Sequence, residues 1–354
     1  MQILLITGAS GFVGQHAVRL GLANPEYDIV IASDVRDLSY SVNPGKKIFC
    51  FFKLDLTNPK SFQDLRNIFF KLWGYDLTVW HIGGCFNYSA SYDLLYRVNV
   101  LGTRNLMVML CGLGVGYIRR FIFWSGGVLY GNFDHPDGKL PADENYPVNP
   151  QNDYGWSKKE AEDWIMFFHR KEDLPVTIMR LAAIYGPNSQ YGIANAIFLN
   201  AWGSLAPLLV GDPQNRAALI HCEDVIGVAD FLGTAPESNG EIYNVVDQIQ
   251  HTMHEISIFI GSRLHNRPFL KFYLPNWVLK KLIALVKRHT QLTGGRALID
   301  PELGNMTLLN SWMSNQKLMD LARKHGIEKT LFKFPDAYLG LDQTIDWYKT
   351  EGLL

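Results

Sequence analysis

The chain has 354 residues, 47% hydrophobic and 19% charged, with a formal net charge of -1. That length suits two domains, or one domain with a sizeable appendage, and the composition excludes a disordered chain. Near-neutral charge without a long run of one sign gives no bulk attraction for nucleic acid, and no stretch reaches the ~20 uninterrupted apolar residues of a spanning helix.

Met1-Gln2 runs straight into Ile3-Leu4-Leu5-Ile6, too short for a secretory leader and followed at once by a glycine turn, so it reads as a first strand. Short apolar runs then alternate with longer helical patterns, the signature of parallel βαβ units. Strands are expected at Gln2–Thr7, Asp28–Ser33, Ile48–Lys53, Leu77–Ile82, Arg120–Ser125 and Thr177–Arg180. Helices are expected near Val13–Ala23, Ser61–Leu72, Tyr92–Leu113 and Tyr154–His169. The loop Asn132–Asn152 is punctuated by four prolines, and loops of that length are more often functional than idle. After Arg180 the rhythm breaks into short pieces and a final set of helices. The fold class that follows is α/β, a Rossmann-type doubly wound parallel sheet over 1–179 with a smaller α+β substrate region over 180–354. Segments near 216–246, including Leu219–His221 and Glu241–Val245, are expected to pack back on the first domain. Four scattered cysteines, Cys50, Cys85, Cys111 and Cys222, lack CxxC spacing and read as reduced thiols of a cytoplasmic protein; no metal cluster is expected.

Thr7-Gly8-Ala9-Ser10-Gly11-Phe12-Val13-Gly14 follows the first strand and opens a helix. Glycines there permit a tight turn, bare backbone against a pyrophosphate and close helix–strand packing, with helix N-terminal amides facing the phosphate charge. Asp34 ends the second strand 20 residues after Gly14, where a carboxylate binds both ribose hydroxyls and repels a 2′-phosphate. NAD is favoured over NADP, with Arg36 nearby to soften the preference. Asp55, after the third strand, is placed to accept from an adenine amino group.

Tyr154 and Lys158 lie four apart, on one face of a helix that Asn152 or Asp153 can cap. A phenol is a poor base at neutral pH, and a neighbouring ammonium with an oxidised nicotinamide favours its phenolate. Tyr154 then takes the hydroxyl proton as hydride leaves carbon. The pair alone is common by chance; its place, opening the helix after strand Arg120–Ser125, gives it weight.

Together TGASGFVG (7–14), Asp34, LDL (54–56), WHIGG (80–84), NVLGTRNL (99–106), SGGVLYG (125–131), YGWSK (154–158), RLAAIYGP (180–187) and LIHCEDV (219–225) resemble the extended short-chain dehydrogenase/reductase family, of the NAD-dependent epimerase/dehydratase superfamily, over nearly the whole chain. The resemblance implies bound NAD(H), lined by Gly8, Gly11, Phe12, Val13, Asp34, Asp55, Leu56, Gly83, Asn99, Tyr154 and Lys158. It implies Tyr154, Lys158 and Ser125 as the catalytic set, and a homodimer through helices around 92–113 and 154–169. His81 reads as a packed strand-end residue. One departure stands out: the family's second hydroxyl before the VYG-like segment, which bonds the substrate oxygen, falls on Gly126. Ser125 shifts in, a water or substrate group substitutes, or catalysis is weakened.

Two substrate branches compete. Sugar-nucleotide enzymes of the family carry an asparagine where this chain has Ala183, and Arg216 sits one residue earlier than their arginine. Both departures leave a diphosphate less well paired. RLAAIYGP and the amphipathic stretch 274–287, with Trp277, Leu282, Leu285 and Val286 on one face, resemble the 3β-hydroxysteroid dehydrogenase branch. That stretch reads first as a core-packing helix, and second as a lid over a greasy substrate or a peripheral membrane contact. Phe269, Phe272, Tyr273, Trp312 and Met313 are candidates to line such a site. The expected activity is an NAD(H)-dependent oxidoreductase moving a hydride between nicotinamide and an alcohol/ketone carbon of an apolar or moderately polar substrate. A sugar-nucleotide epimerase or dehydratase is the alternative, and a catalytically weakened NAD-binding protein the second.

Overall fold

The computed structural model describes residues 1–72, 74–88, 90–189, 208–210, 212–265, 272–274, 277–278, 281, 284–285, 288 and 309–354. Seven parallel strands form the main sheet: β1 (Gln2–Thr7), β2 (Ile29–Asp34), β3 (Ile48–Lys53), β4 (Asp76–His81), β5 (Ile118–Gly126), β6 (Val176–Leu181) and, at the edge beside β6, Glu241–Val245. The order across the sheet is β3, β2, β1, β4, β5, β6, then Glu241–Val245. The chain reverses direction across the sheet between β1 and β4, and the carboxyl ends of those strands open the crevice where a doubly wound fold binds its ligand.

Alternate side chains of the strands face two different helix layers. On one face Leu4, Ile6, Val30, Ala32, Trp80 and Trp124 pack with α1 (Phe12–Ala23) and the helix Cys222–Thr234 through Val225, Val228 and Leu232. On the other, Ile3, Leu5, Ile31, Val79, Phe121 and Phe123 meet α2 (Gln63–Lys71), and the helices Gly102–Leu113 and Asp153–Glu172. Each buried Leu, Ile or Phe contributes about 1.5–3 kcal/mol relative to exposure, so a sheet covered on both faces selects continuous apolar strands such as Ile3–Ile6.

The expected helix Tyr92–Leu113 is broken into three. A first turn, α3 (Tyr92–Leu95), leads into a wide i→i+5 segment at Tyr96–Leu101, then into α4 (Gly102–Leu113). Gly102 lets the segment press on Leu56, whose Cβ would lie 2.8 Å from an added Cβ. The catalytic-helix candidate is α5 (Asp153–Glu172), capped by the Asn152 side chain accepting from the Gly155 amide.

Beyond β6, β7 (Ala183–Tyr185) pairs in parallel with Leu219–His221 as a two-stranded ladder of its own. For Leu219–His221 the register partner lies just past the main sheet, while Ile220 packs in the core that Leu4, Ile6 and Trp80 share. A second short ladder joins β8 (Leu208–Val210) to Phe272–Leu274. A third core unites Tyr185 and Leu219 with Ile256 and Ile260 of the helix Met253–His265, and with Leu341 and Ile345 of the helix Ala337–Thr350. The loop Asn132–Asn152 is tied down: Ala142 exchanges backbone bonds with Trp312 and Ser314, and Glu144 accepts from the Asn244 amide. Most of 274–287 lies outside the described residues, as do Phe269, Leu282, Val286 and the side chains of Phe272 and Tyr273; Trp277 and Leu285 are exposed. Among the described residues no helix is long and apolar enough to cross a membrane, and no cluster of three or more metal-ligating side chains occurs.

Candidate active site

A cleft of about 990 Å³ runs along the carboxyl ends of the strands. Its floor is the glycine turn between β1 and α1. Gly8 adopts a φ of +76°, and an added Cβ would meet Gly83 backbone at 2.7 Å. A Cβ on Gly14 would strike the Gly8 carbonyl oxygen at 2.0 Å. Gly11 stands at the N-cap with no side chain to bond the first amides of α1, which leaves them available to an anion. These three observations fit a dinucleotide pyrophosphate laid on bare backbone.

Asp34, at the end of β2, is buried at the same cleft. One of its oxygens accepts from the Ser10 amide and the other from the Arg36 amide, each at 3.0 Å, while Arg36 Nε lies 3.7 Å away. Asp55 and Leu56 line the cleft beyond it, with Asp55 Oδ1 accepting from the Thr57 amide and hydroxyl. Gly8, Gly11, Phe12, Val13, Asp34, Asp55, Leu56, Gly83, Ser125, Tyr154 and Lys158 all border one space.

Asn99 does not. Both of its side-chain groups are used behind the wall: Oδ1 accepts from the Cys85 amide at 2.7 Å, and Nδ2 donates to the Cys85 carbonyl and to Ser157 Oγ. Asn99 thereby ties the loop after β4 to α5. His81 is fully buried between Phe121 and Phe123. The Thr103 hydroxyl donates to the Asn99 carbonyl, so it accepts from His81 Nε2, and Nδ1 accepts from Thr7. Burial, then Lys158, holds the imidazole down at about 3, so His81 is a neutral packing residue.

Tyr154 and Lys158 both reach the cleft from α5. The Lys158 ammonium lies 4.4 Å from the Phe123 ring centroid; burial lowers its pKa to about 8 while Glu162, one turn on, pulls the other way. The Tyr154 ring is boxed by Phe86 and Tyr88, each 5.2 Å away in edge-to-face contact. Burial first, then Tyr88 and Cys85, push its ionisation up. Lys158 is not among the groups that act on it; its ammonium lies over Phe123 while the phenol is enclosed in aromatics. Phe86 and Tyr88 were not singled out from sequence; their signal is their position, directly past the HIGG run at a parallel strand's carboxyl end.

At the cleft wall, the Ser125 hydroxyl is bonded to a buried carboxylate. It donates to Glu162 Oε1 at 2.5 Å, and Glu162 is gripped by Arg180. A hydroxyl has one proton, and this one is committed, so Ser125 does not shift in as the donor for substrate oxygen. Gly126 has extended backbone (φ -152°), and a Cβ there would meet Val128 Cγ1 at an ordinary 3.5 Å. A serine fits; the chain has none.

With this geometry in hand, comparison with known proteins is decisive at family level. Residues 4–245 match the model of the NAD dependent epimerase/dehydratase family. The chain belongs to the NAD-dependent epimerase/dehydratase family. This places it within the extended short-chain dehydrogenase/reductase group, whose cofactor is NAD. A trifunctional Arabidopsis thaliana protein, UDP-glucose 4,6-dehydratase with epimerase and reductase activities, is 30% identical over 79% of the chain, which spans 44% of that relative's length. A putative UDP-glucose 4-epimerase of Methanocaldococcus jannaschii is 26% identical over 88% of the chain and 99% of its own. The fold matches the Thermus thermophilus UDP-glucose 4-epimerase complex with NAD at a TM-score of 0.68 and 22% identity, covering 99% of each chain. It also matches a Bacillus anthracis dTDP-glucose 4,6-dehydratase with NAD at 0.70 and 20% identity, over 100% and 98%. These family relatives are sugar-nucleotide epimerases and dehydratases, which moves the preferred branch from the steroid-like reading to its alternative.

Proposed function

We propose that the protein transfers a hydride between bound NAD and a sugar carbon of a nucleoside-diphosphate sugar, as an epimerase or dehydratase. The observation that carries this is the convergence of the glycine turn, Asp34, Tyr154 and Lys158 on one cleft in a chain of this family. Gly8, Gly11, Phe12 and Val13 would hold the pyrophosphate, Asp34 the adenosine ribose, Asp55 and Leu56 the adenine end, and Lys158 the nicotinamide ribose. Bound NAD⁺ supplies a hydride acceptor and a positive ring that favours the phenolate. Tyr154 takes the substrate hydroxyl proton on oxidation and returns it on reduction. Arg216 borders the same cleft, lying over Trp312 and donating to the Gln250 carbonyl. Its charge there suits a diphosphate, despite the alanine at 183.

A homodimer through α4 and α5 belongs to the same reading, supported by the exposed apolar side chains Val108 and Phe167 on those helices. Free thiols at all four cysteines suit a reducing, cytoplasmic setting.

The test is turnover of UDP-glucose, UDP-galactose and dTDP-glucose by the NAD-loaded protein, with products resolved by chromatography and bound reduced cofactor followed at its absorbance band. Interconversion or dehydration of one of them, abolished in Tyr154→Phe with NADH affinity retained, is expected. Absence of turnover and of thermal stabilisation by UDP and dTDP would reject the sugar-nucleotide reading.

A further inference from the structure

We infer that Tyr40 is a positioning residue for the dinucleotide: its hydroxyl holds the one peptide that joins the glycine turn to Asp34. This inference rests on the reading of that turn and of Asp34 as the cofactor's seat, and adds a residue standing behind it.

The crossover from β2 to β3, residues 35–47, is irregular backbone that runs as a strap along α1. Its alternate side chains Leu38, Tyr40 and Val42 are partly buried against the core that holds Val13, Ala17 and Val18 of α1. At the end of that helix Lys47 Nζ donates to the Gly21 and Asn24 carbonyls, where backbone acceptors lack partners within the helix. The strap is thus fastened to the C-terminal end of α1 by Lys47. Tyr40 fastens it to the turn at the other end.

There the Tyr40 hydroxyl donates to the Ala9 carbonyl oxygen at 2.9 Å. The Ala9 carbonyl and the Ser10 amide belong to a single planar peptide unit. That amide donates to Asp34 Oδ2 at 3.0 Å. Ser10 Oγ donates to the Arg36 carbonyl at 3.1 Å, and the Arg36 amide returns to Asp34 Oδ1, which closes a ring of bonds. One rigid unit is therefore held from both sides, by Tyr40 at its oxygen and by Asp34 at its N–H. A bond accepted at the oxygen polarises the unit and strengthens the bond its N–H makes to the carboxylate. The pyrophosphate seat and the ribose carboxylate are set relative to each other before the cofactor arrives, which lowers the ordering cost of binding. Burial, then the Asp34 charge, push the Tyr40 ionisation up, so the phenol keeps the proton that it donates.

Tyr40→Phe keeps the ring in the strap and removes only the bond. NADH is titrated by fluorescence into wild type, Tyr40→Phe, Asp34→Ala and the double variant. The Tyr40→Phe Kd is expected to rise roughly three- to tenfold, the net worth of one hydrogen bond. Because Tyr40 acts partly through Asp34, the double variant is expected to lose less than the product of the two separate losses. A ring that served packing alone would leave the Phe variant unchanged, and a general loosening of the fold would give two independent losses that multiply. Either of those outcomes would overturn the assignment while the cofactor reading stands. A wild type that binds no NADH would overturn that reading and this one with it.

Discussion

Arg180 grips Glu162 through two nitrogens, Nη2 to Oε2 at 2.8 Å and Nε to Oε1 at 3.2 Å, joining β6 to α5 one turn beyond Lys158. Both side chains are almost wholly buried. The remaining capacity is used too: Ser125 donates to Glu162, and Arg180 Nη1 donates to the Tyr130 oxygen and the Glu144 carbonyl. The pair fixes the strand carrying Ser125-Gly126 against the helix carrying Tyr154 and Lys158, so the geometry of the candidate site depends on it.

Glu162→Gln leaves the guanidinium buried without a counter-charge. Removing one partner of such a pair costs about 3–5 kcal/mol, whereas replacing both by apolar groups of similar volume is often near neutral. Urea unfolding is expected to show that loss for Glu162→Gln and a smaller one for Glu162→Leu with Arg180→Met. A single variant within about 1 kcal/mol of wild type would mean water reaches the site.

Lys158 gives a pH signature with a fixed sign. Its folded-state pKa is lowered from 10.5 to about 8, chiefly by burial. Between those values the unfolded chain holds a proton that the folded chain has released, so stability rises with pH there; below about 8 the burial penalty is fully present. The wild type is therefore expected to gain stability relative to Lys158→Met from pH 8 to 10.5, on the order of 1–3 kcal/mol. Denaturation of the two proteins across that window measures it. A flat difference would place the ammonium in contact with solvent.

What could be read in advance was local. The glycine turn, Asp34 and the Tyr154–Lys158 spacing each follow from one strand–turn–helix unit, where chain geometry alone sets the side chains. What could not be read depends on partners far along the chain. Nothing near Asn99 in sequence shows that Cys85 and Ser157 take its amide. Ser125 looked available because Glu162 lies 37 residues away. Leu219–His221 pairs with Ala183–Tyr185 across an insertion that carries no periodic signal. The Phe86–Tyr88 box lies in a loop, which has no pattern to betray an inward face. The choice of substrate branch has the same difficulty: Ala183 and the shifted Arg216 read as lost contacts, yet Arg216 borders the cleft, and the family relatives favour the sugar-nucleotide alternative.

Asp34 should decide which dinucleotide is taken. Its carboxylate is already oriented by the Ser10 and Arg36 amides, so binding a ribose through its two hydroxyls requires little reordering. Hydrogen bonds to a charged group contribute about 1.5–3 kcal/mol, roughly 10- to 150-fold in affinity. Asp34→Asn keeps the shape and removes the charge, and NADH affinity is expected to fall by that range. Asp34→Ser also clears space beside Arg36, only 3.7 Å away by its Nε, for a 2′-phosphate. Fluorescence titrations with NADH and NADPH should then show the preference narrowing in the first variant and reversing in the second. An unchanged NADH-to-NADPH ratio in both would mean that the ribose lies elsewhere in the cleft, and the proposed orientation of the dinucleotide would have to be abandoned.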